Sequence, residues 1–320
     1  MKDISVFGAG AFGTALAIVL ARHGHSVQLI ARNPEHAATM QSDNENTARL
    51  VGHSFPDGLT ATANVTDPAM LCLLALPAQA LAGYLRRNKA EFIGRTIVAC
   101  CKGVDLETGL GPTGVILQEC PTSEAAILSG PSFATDIAAG LPTALTIAAR
   151  SDETAKFLQN ALSTRTLRLY RTTDTIGVEL GGALKNIMAI AAGITVGAGL
   201  GESARAALMT RGYEELKRFA AAAGAAPETL AGLSGFGDLV LTCTSEKSRN
   251  FSHGVAIGKG AHAATRTTVE GISTAHAVVA LAQRRGIDMP ITATVSKLLS
   301  GTLSIQDAIK QLLSRPLKKE

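Results

Sequence analysis

Three glycines near the start of the chain limit its fold more than any other feature. Gly8, Gly10 and Gly13, in VFGAGAFGTALA, follow the short apolar run 4–7 and open a stretch with helical periodicity. GxGxxG spacing between a strand and a helix is what the phosphate-binding turn of a βαβ unit requires. Gly8 permits the tight turn, Gly10 lets the backbone come close to a pyrophosphate, and Gly13 lets helix and strand pack together. The helix N-terminus adds unpaired amides and a partial positive charge. A glycine-rich turn alone says little; in this position it predicts a dinucleotide-binding fold.

The rest of the first half agrees with that fold. Apolar runs at 4–7, 26–31, 71–75, 96–100, 125–129, 143–149 and 167–170 alternate with helical segments, a pattern that predicts a largely parallel, doubly wound sheet. After residue 174 the strand signal fades. Helical periods take over at 176–194, 204–224, 227–230, 250–259, 271–286 and 305–313, the last with Ser304 placed to cap it. The reading is an α/β N-terminal, Rossmann-like doubly wound domain over 1–174, followed by an all-α C-terminal domain over 175–320. A length of 320 residues fits two domains of about 100–200 residues each.

Composition excludes several function classes. A net charge of +4 is too small and dispersed for a nucleic-acid surface, and no basic run is interleaved with aromatics. Asp3 spoils the positive region of a secretory signal. The uncharged stretches 68–85 and 186–201 are poor membrane spans: the first contains Pro77, and the second is short of the roughly 20 residues needed. The five cysteines show neither CxxC nor metal spacing with histidine, so no metal site is expected. They read as small buried hydrophobes in a reducing cytoplasm.

Candidate chemistry lies at strand and helix ends, where open α/β sheets hold ligands. The second strand, VQLIAR, ends in Arg32 rather than an acid, which suits a 2′-phosphate and favours NADP(H) with NAD(H) also accommodated. A surface arginine at a strand end is the plainer alternative. Lys102 follows TIVACC in a KG turn, and Gly130 and Ser132 follow AAILS. In GLSGFGDLVLTCTSEKSRN an acid, Asp238, is joined to Ser248, Arg249 and Asn250 just ahead of a helix, a combination suited to cradling a phosphate. Each of these also reads as a cap, turn or surface ion pair.

Lys185 stands alone among glycines, alanines and branched aliphatics in GVELGGALKNIMAIAAG. An ammonium ion in apolar surroundings is costly unless paired or neutral, and a lysine so placed can give and take a proton. The alternative is a lysine whose stem lies along the helix with its head in water.

Together, GAGAFGTALA, CKG, SGPSFA, IGVELGGALKN, GLSGFGDLVLTCTSEKSRN and VEG resemble the motifs of bacterial-type NAD(P)-dependent glycerol-3-phosphate dehydrogenases, in that family's order and over almost the whole chain. The resemblance implies reduction of dihydroxyacetone phosphate to sn-glycerol 3-phosphate for glycerophospholipid synthesis, by a homodimer. It implies Lys185 as general acid/base. Around the substrate it implies Lys102, Gly130, Ser132, Lys185, Asp238, Ser248, Arg249 and Asn250. Along the cofactor it implies Gly8, Gly10, Ala11, Phe12, Gly13, Arg32, Lys102, Ala134, Arg249, Thr268, Val269 and Glu270. Asp238 would orient the lysine ammonium or bind the substrate's terminal hydroxyl.

Departures from the family pattern are local. GHSFPDG replaces an LPG-like turn, the segment before LLALP is shortened to little more than VTDPAM, and CKG stands for the commoner TKG. The competing expectations are another two-domain dehydrogenase acting on a hydroxy acid or sugar acid, and a noncatalytic NADP-binding sensor.

Overall fold

The structure, a computed structural model, describes residues 3–65, 68–261 and 269–313. It divides into two compact units, Met1–Glu179 and Leu180–Glu320.

The first unit is built on eight strands: β1 (Ile4–Phe7), β2 (Val27–Ile30), β3 (Leu59–Thr62), β4 (Leu71–Leu74), β5 (Thr96–Ala99), β6 (Glu124–Ser129), β7 (Thr143–Ala149) and β8 (Leu167–Thr172). They form one sheet in the order β3-β2-β1-β4-β5-β6-β7-β8, parallel throughout except for the antiparallel β6/β7 pair. Six helices connect them: α1 (Ala11–Arg22), α2 (Pro34–Asp43), α3 (Ala78–Arg87), α4 (Pro112–Glu119), α5 (Ala134–Ala138) and α6 (Asp152–Leu162).

Helices cover both faces of the sheet, so the central strands are apolar on both sides. All four residues of β1 and of β4 are buried. Alternate residues of β1 point to opposite cores: Ile4 and Val6 pack with Leu16 and Leu20, whereas Phe7 packs with Leu81 and Phe92. The Phe7 and Phe92 rings lie 5.0 Å apart.

The seven strands expected from sequence are all present; β3 is an addition. Its sequence, LTAT, is four residues long and half-buried, too short and too polar to stand out as an apolar run. Its pairing with β2, in register Val27↔Leu59 to Ile30↔Thr62, identifies it as an edge strand. The strand order reverses between β1 and β4, and at this switch the turn after β1 meets the turn after β4. Gly8 there has φ +106°, and a Cβ on it would stand 2.5 Å from the Ala75 carbonyl oxygen, so no other residue fits.

The second unit is helical among its described residues. It takes most of α7 (Thr175–Gly197), then α8 (Gly201–Ala222), α9 (Pro227–Ala231), α10 (Asp238–Thr244), α11 (Arg249–Gly258), α12 (Glu270–Arg284), α13 (Pro290–Leu299) and α14 (Ile305–Leu313). Ser304 caps α14 through the Asp307 amide at 3.1 Å. Two of these helices went unread in the sequence. One is α10, which follows directly from a π-helical turn at Leu233–Gly237; the other is α13, whose sequence PITATVSKLL is short and rich in β-branched residues.

At 23 residues, α7 is long and apolar enough to cross a membrane by length and composition alone, and is longer than the stretch 186–201 suggests. Its most apolar window is 83% buried within the protein, as a core helix would be. Backbone packs on backbone where α7 meets α11: Cβ atoms at Gly193 or Gly254 would collide with the Phe251 and Ile190 carbonyl oxygens respectively.

Buried and half-buried polar side chains cap helices from a distance. The N-cap residues of α4, α12 and α13 make no side-chain capping bond, and polar groups distant in sequence meet amides of the first turn instead. The α4 amide of Thr113 donates to the Glu179 carboxylate at 2.6 Å. The α13 amides of Ile291 and Thr292 donate to Glu215 at 2.6 and 3.1 Å. The α12 amide of Gly271 donates to Asn250 Oδ1 at 3.0 Å.

Candidate active site

In the first unit the glycine turn opens α1 with Gly10 at the N-cap and no side-chain cap. The first-turn amides, those of Ala11 and Phe12 among them, are therefore left for a ligand. A Cβ on Gly10 would meet nothing within 4 Å, whereas one on Gly13 would collide with the Gly8 carbonyl oxygen. Gly10 thus faces open space and Gly13 closes the turn, the arrangement a pyrophosphate needs.

Asn46 braces this turn and escaped the sequence reading. Wholly buried, it donates from Nδ2 to the Ala9 carbonyl at 3.1 Å and to Thr14 Oγ1 at 2.8 Å. Its Oδ1 lies 3.0 Å from His36 Nε2. Its partners are far off in the chain, and no local motif marks it.

Arg32 is exposed just beyond β2, where Asn33 caps α2 by accepting from the Glu35 amide at 2.8 Å. Lys102, in the turn after β5, donates from Nζ to the Gly130 carbonyl at 3.1 Å. Ser132 Oγ donates to the same carbonyl at 3.4 Å, so the CKG and SGPSFA motifs meet at Gly130. Gly130 has φ +142°, a backbone conformation that favours glycine, and a Cβ there would crowd Leu145 at 3.1 Å. Ala134 is the first residue of α5.

Glu179 is a buried carboxylate at the N-terminus of α4, where it meets the Thr113 amide. Burial, the largest influence, pushes it up to about 7, against the hydrogen bonds from Thr113. A carboxyl group raised in the folded state stabilises most below its unfolded value of about 4.3 and loses that contribution as pH climbs through 7. Replacing Glu179 with glutamine keeps an acceptor for Thr113 without the charge. The variant is expected to melt close to the parent at pH 5 and above it at pH 8, by roughly 1–3 kcal/mol of stability. Parallel melting curves across that range would contradict this.

In the second unit Lys185 lies in the middle of α7, 7% exposed, and its Nζ is 2.7 Å from Asp238 Oδ1. Asp238 is 1% exposed and opens α10. The preceding π-helical turn packs closely on α7: a Cβ on Gly181 would stand 2.6 Å from the Ser234 carbonyl oxygen. Glycine at 181 therefore lets the Asp238 segment approach the lysine helix. The ammonium is buried and paired, which sets aside the reading in which its head lies in water. Cys243, in the same helix as Asp238, is pushed up to about 12 by burial, which outweighs the opposing influence of Lys185. It is a neutral thiol at working pH.

Ser248 is the N-cap of α11, accepting from the Phe251 amide at 3.3 Å. Arg249 and Asn250 are its first two helical residues rather than lying ahead of the helix, because the Ser248 cap starts the helix one residue earlier than periodicity indicates. Ser248 Oγ is 2.9 Å from Thr242 Oγ1, and Asn250 Nδ2 donates to Asn186 Oδ1 at 2.9 Å. The residue after the lysine is thus tied to the Ser-Arg-Asn cluster. Asn186 and Thr242 were present in the quoted motifs, but only the fold gives them partners. Arg249 is exposed, Val269 is the N-cap of α12, and Glu270 is its first residue. Thr268 lies outside the described residues. Among the described residues, no group of three or more His, Cys, Asp or Glu side chains could hold a metal ion.

Comparison with known proteins gives a consistent result. Residues 3–155 match the family described as NAD-dependent glycerol-3-phosphate dehydrogenase N-terminus, and residues 174–310 match its C-terminus. The glycerol-3-phosphate dehydrogenase [NAD(P)+] of Cereibacter sphaeroides is 58% identical over 99% of this chain and 100% of its own. The protein of that name from Ruegeria sp. is 56% identical, with the same coverage. The crystal structure of glycerol-3-phosphate dehydrogenase from Coxiella burnetii superposes with a TM-score of 0.92 at 38% identity, covering 98% of this chain and 99% of that one. With both parts of the family matched in sequence and the whole fold matched in space, this chain belongs to the NAD-dependent glycerol-3-phosphate dehydrogenases.

Proposed function

We propose that the protein reduces dihydroxyacetone phosphate to sn-glycerol 3-phosphate, with NADP(H) favoured and NAD(H) accepted, and so supplies the backbone of glycerophospholipids. The observation that carries this reading is the buried Lys185–Asp238 pair at 2.7 Å, in the unit that also presents Arg249 at a helix N-terminus.

When bound, the reduced nicotinamide supplies a hydride to the ketone carbon. The chain's own residues do the rest. Gly8, Gly10 and Gly13, with the amides of Ala11 and Phe12, hold the pyrophosphate, and Arg32 pairs with a 2′-phosphate. Ala134, Thr268, Val269 and Glu270 complete the cofactor contacts. Arg249, Ser248 and Asn250 hold the substrate phosphate, and Gly130 and Ser132 line the substrate. Lys102, now bonded to Gly130, and Arg249 serve both ligands. Phosphate binding remote from the carbonyl aligns it for transfer. As negative charge develops on the ketone oxygen, Lys185 Nζ gives that oxygen a proton, and Asp238 holds the ammonium in place. In the reverse direction the neutral amine takes the proton from the alcohol.

Residues 1–174 form the cofactor domain in this reading and 175–320 the substrate domain. A homodimer is supported by exposed apolar side chains of the second unit, with Leu200, Phe236 and Val240 at 42%, 48% and 36% exposure. A cytoplasmic location is supported by five cysteines that are all free thiols and all buried.

The test is a substrate panel. With NADPH, dihydroxyacetone phosphate is expected to give one sn-glycerol 3-phosphate per cofactor consumed, and to outpace both dihydroxyacetone and a small 2-keto acid by at least ~100-fold in kcat/KM. Faster turnover of the keto acid would overturn the reading in favour of a hydroxy-acid dehydrogenase. In the same assay Arg32→Asp is expected to move the NADPH/NADH preference towards NADH by about tenfold or more. An unchanged ratio would remove Arg32 from cofactor selection.

A further inference from the structure

We infer that Gly271 is a positioning residue that couples substrate-phosphate binding to cofactor binding through the carboxamide of Asn250. The inference rests on the function proposed above. It starts from the glycine of the VEG motif, which no step of that function uses.

Three helices converge on one side chain. Asn250, in the first turn of α11, donates from Nδ2 to Asn186 Oδ1 at 2.9 Å and accepts at Oδ1 from the Gly271 amide at 3.0 Å. Asn186 is 3% exposed and follows Lys185 in α7; Gly271 follows Glu270 in α12. Because a carboxamide is planar, its two ends cannot move independently. Any ligand that fixes Asn250 at the start of α11 also fixes the first turn of α12, and any ligand that orders Glu270 fixes Asn250 in return.

The junction has no slack. A Cβ on Gly271 would stand 2.7 Å from Ile190 Cδ1, 2.8 Å from Asn250 Oδ1 and 2.9 Å from the Asn186 carbonyl oxygen. Glycine is not needed there for backbone conformation, since Gly271 is helical and is not among the glycines of positive φ. Alanine favours a helix, so helix propensity alone would make Gly271→Ala stabilising. The glycine is required by the close approach of Asn250 and Asn186. Asn250 also supplies the acceptor for the Gly271 amide in the first turn of α12, whose N-cap Val269 makes no side-chain capping bond, so its position and the order of that first turn are a single equilibrium. Two ligands that both favour the ordered state must assist one another, and by the same factor.

The test measures that factor directly. NADPH and sn-glycerol 3-phosphate are both reduced, so they can occupy the protein together without reacting. The dissociation constant of NADPH is read from nicotinamide fluorescence, with and without saturating sn-glycerol 3-phosphate. In the parent protein the alcohol is expected to tighten NADPH binding by about fivefold or more. In Gly271→Ala that factor is expected to fall to within about twofold of unity. A general weakening of the fold would change both dissociation constants and leave their ratio intact. If Gly271→Ala does not fold, Gly271→Ala/Ile190→Val removes the nearest obstructing atom but keeps the clash with Asn250, and the factor is expected to stay near unity there as well. Retention of the parent's factor in either folded variant overturns the inference, as does a factor of one in the parent. Failure of the parent to bind NADPH or sn-glycerol 3-phosphate overturns the proposed function itself; binding of both without mutual effect overturns only the coupling.

Discussion

Replacing Lys185 with methionine is expected to slow turnover of dihydroxyacetone phosphate by about 10²- to 10⁴-fold while leaving NADPH binding close to that of the parent. It is also expected to cost stability. Lys185 and Asp238 are both buried and 2.7 Å apart, so methionine leaves a carboxylate in the interior without its cation. Breaking a buried pair in this way costs about 3–5 kcal/mol. The two effects can be separated. Lys185→Met/Asp238→Leu removes both charges and is expected to regain most of the lost melting temperature, because a well-packed apolar pair of similar volume is about neutral relative to the ion pair. It regains no activity, since no group is left to give the carbonyl oxygen its proton. Recovery of turnover along with stability in the double variant would show that the pair is structural.

Arg249→Ala is the second large expected effect, and its signature is the opposite. Arg249 is exposed at the first position of α11, so truncation leaves no buried charge and stability is expected to stay within about 0.5 kcal/mol of the parent. A guanidinium on a phosphate dianion makes charge-assisted, often bidentate, hydrogen bonds. Losing one such bond costs about 1.5–3 kcal/mol, so kcat/KM for dihydroxyacetone phosphate is expected to fall by roughly 10- to 150-fold. At saturating NADPH, which offsets the lost Arg249 contact to the cofactor, unphosphorylated dihydroxyacetone lacks the group that Arg249 holds and is expected to be turned over by the variant as by the parent. Equal losses on the two ketones would point to displacement of α11 rather than to a lost phosphate contact.

What was legible in the sequence was local. Gly8, Gly10 and Gly13 carry their meaning in spacing, and the apolar runs of the central strands announce themselves because both faces of the sheet are covered. β3 was not legible: an edge strand of four half-buried residues has no periodicity to show, and only its pairing with β2 defines it. The same limit applies at the site. Lys185 stood out as a cation in an apolar helix, and Asp238 as an acid in a distinctive motif, but the 2.7 Å between them depends on Gly181 admitting the π-helical turn. Asn46, Glu179 and Gly271 act through partners 32, 66 and 21 residues away, respectively. No window along the chain contains such a pair, and it is burial above all that makes the Glu179 carboxyl unusual.

The central claim is that Lys185 delivers the proton that completes reduction of a phosphorylated ketone. The most direct measurement is a single turnover: the preformed complex with NADPH is mixed rapidly with dihydroxyacetone phosphate, and loss of the reduced-nicotinamide absorbance is followed in the parent and in Lys185→Met. The parent is expected to oxidise its bound NADPH in one fast phase, and the variant to hold the same NADPH and oxidise it at least ~100-fold more slowly. Decay at the same rate in both proteins would contradict the assignment of Lys185.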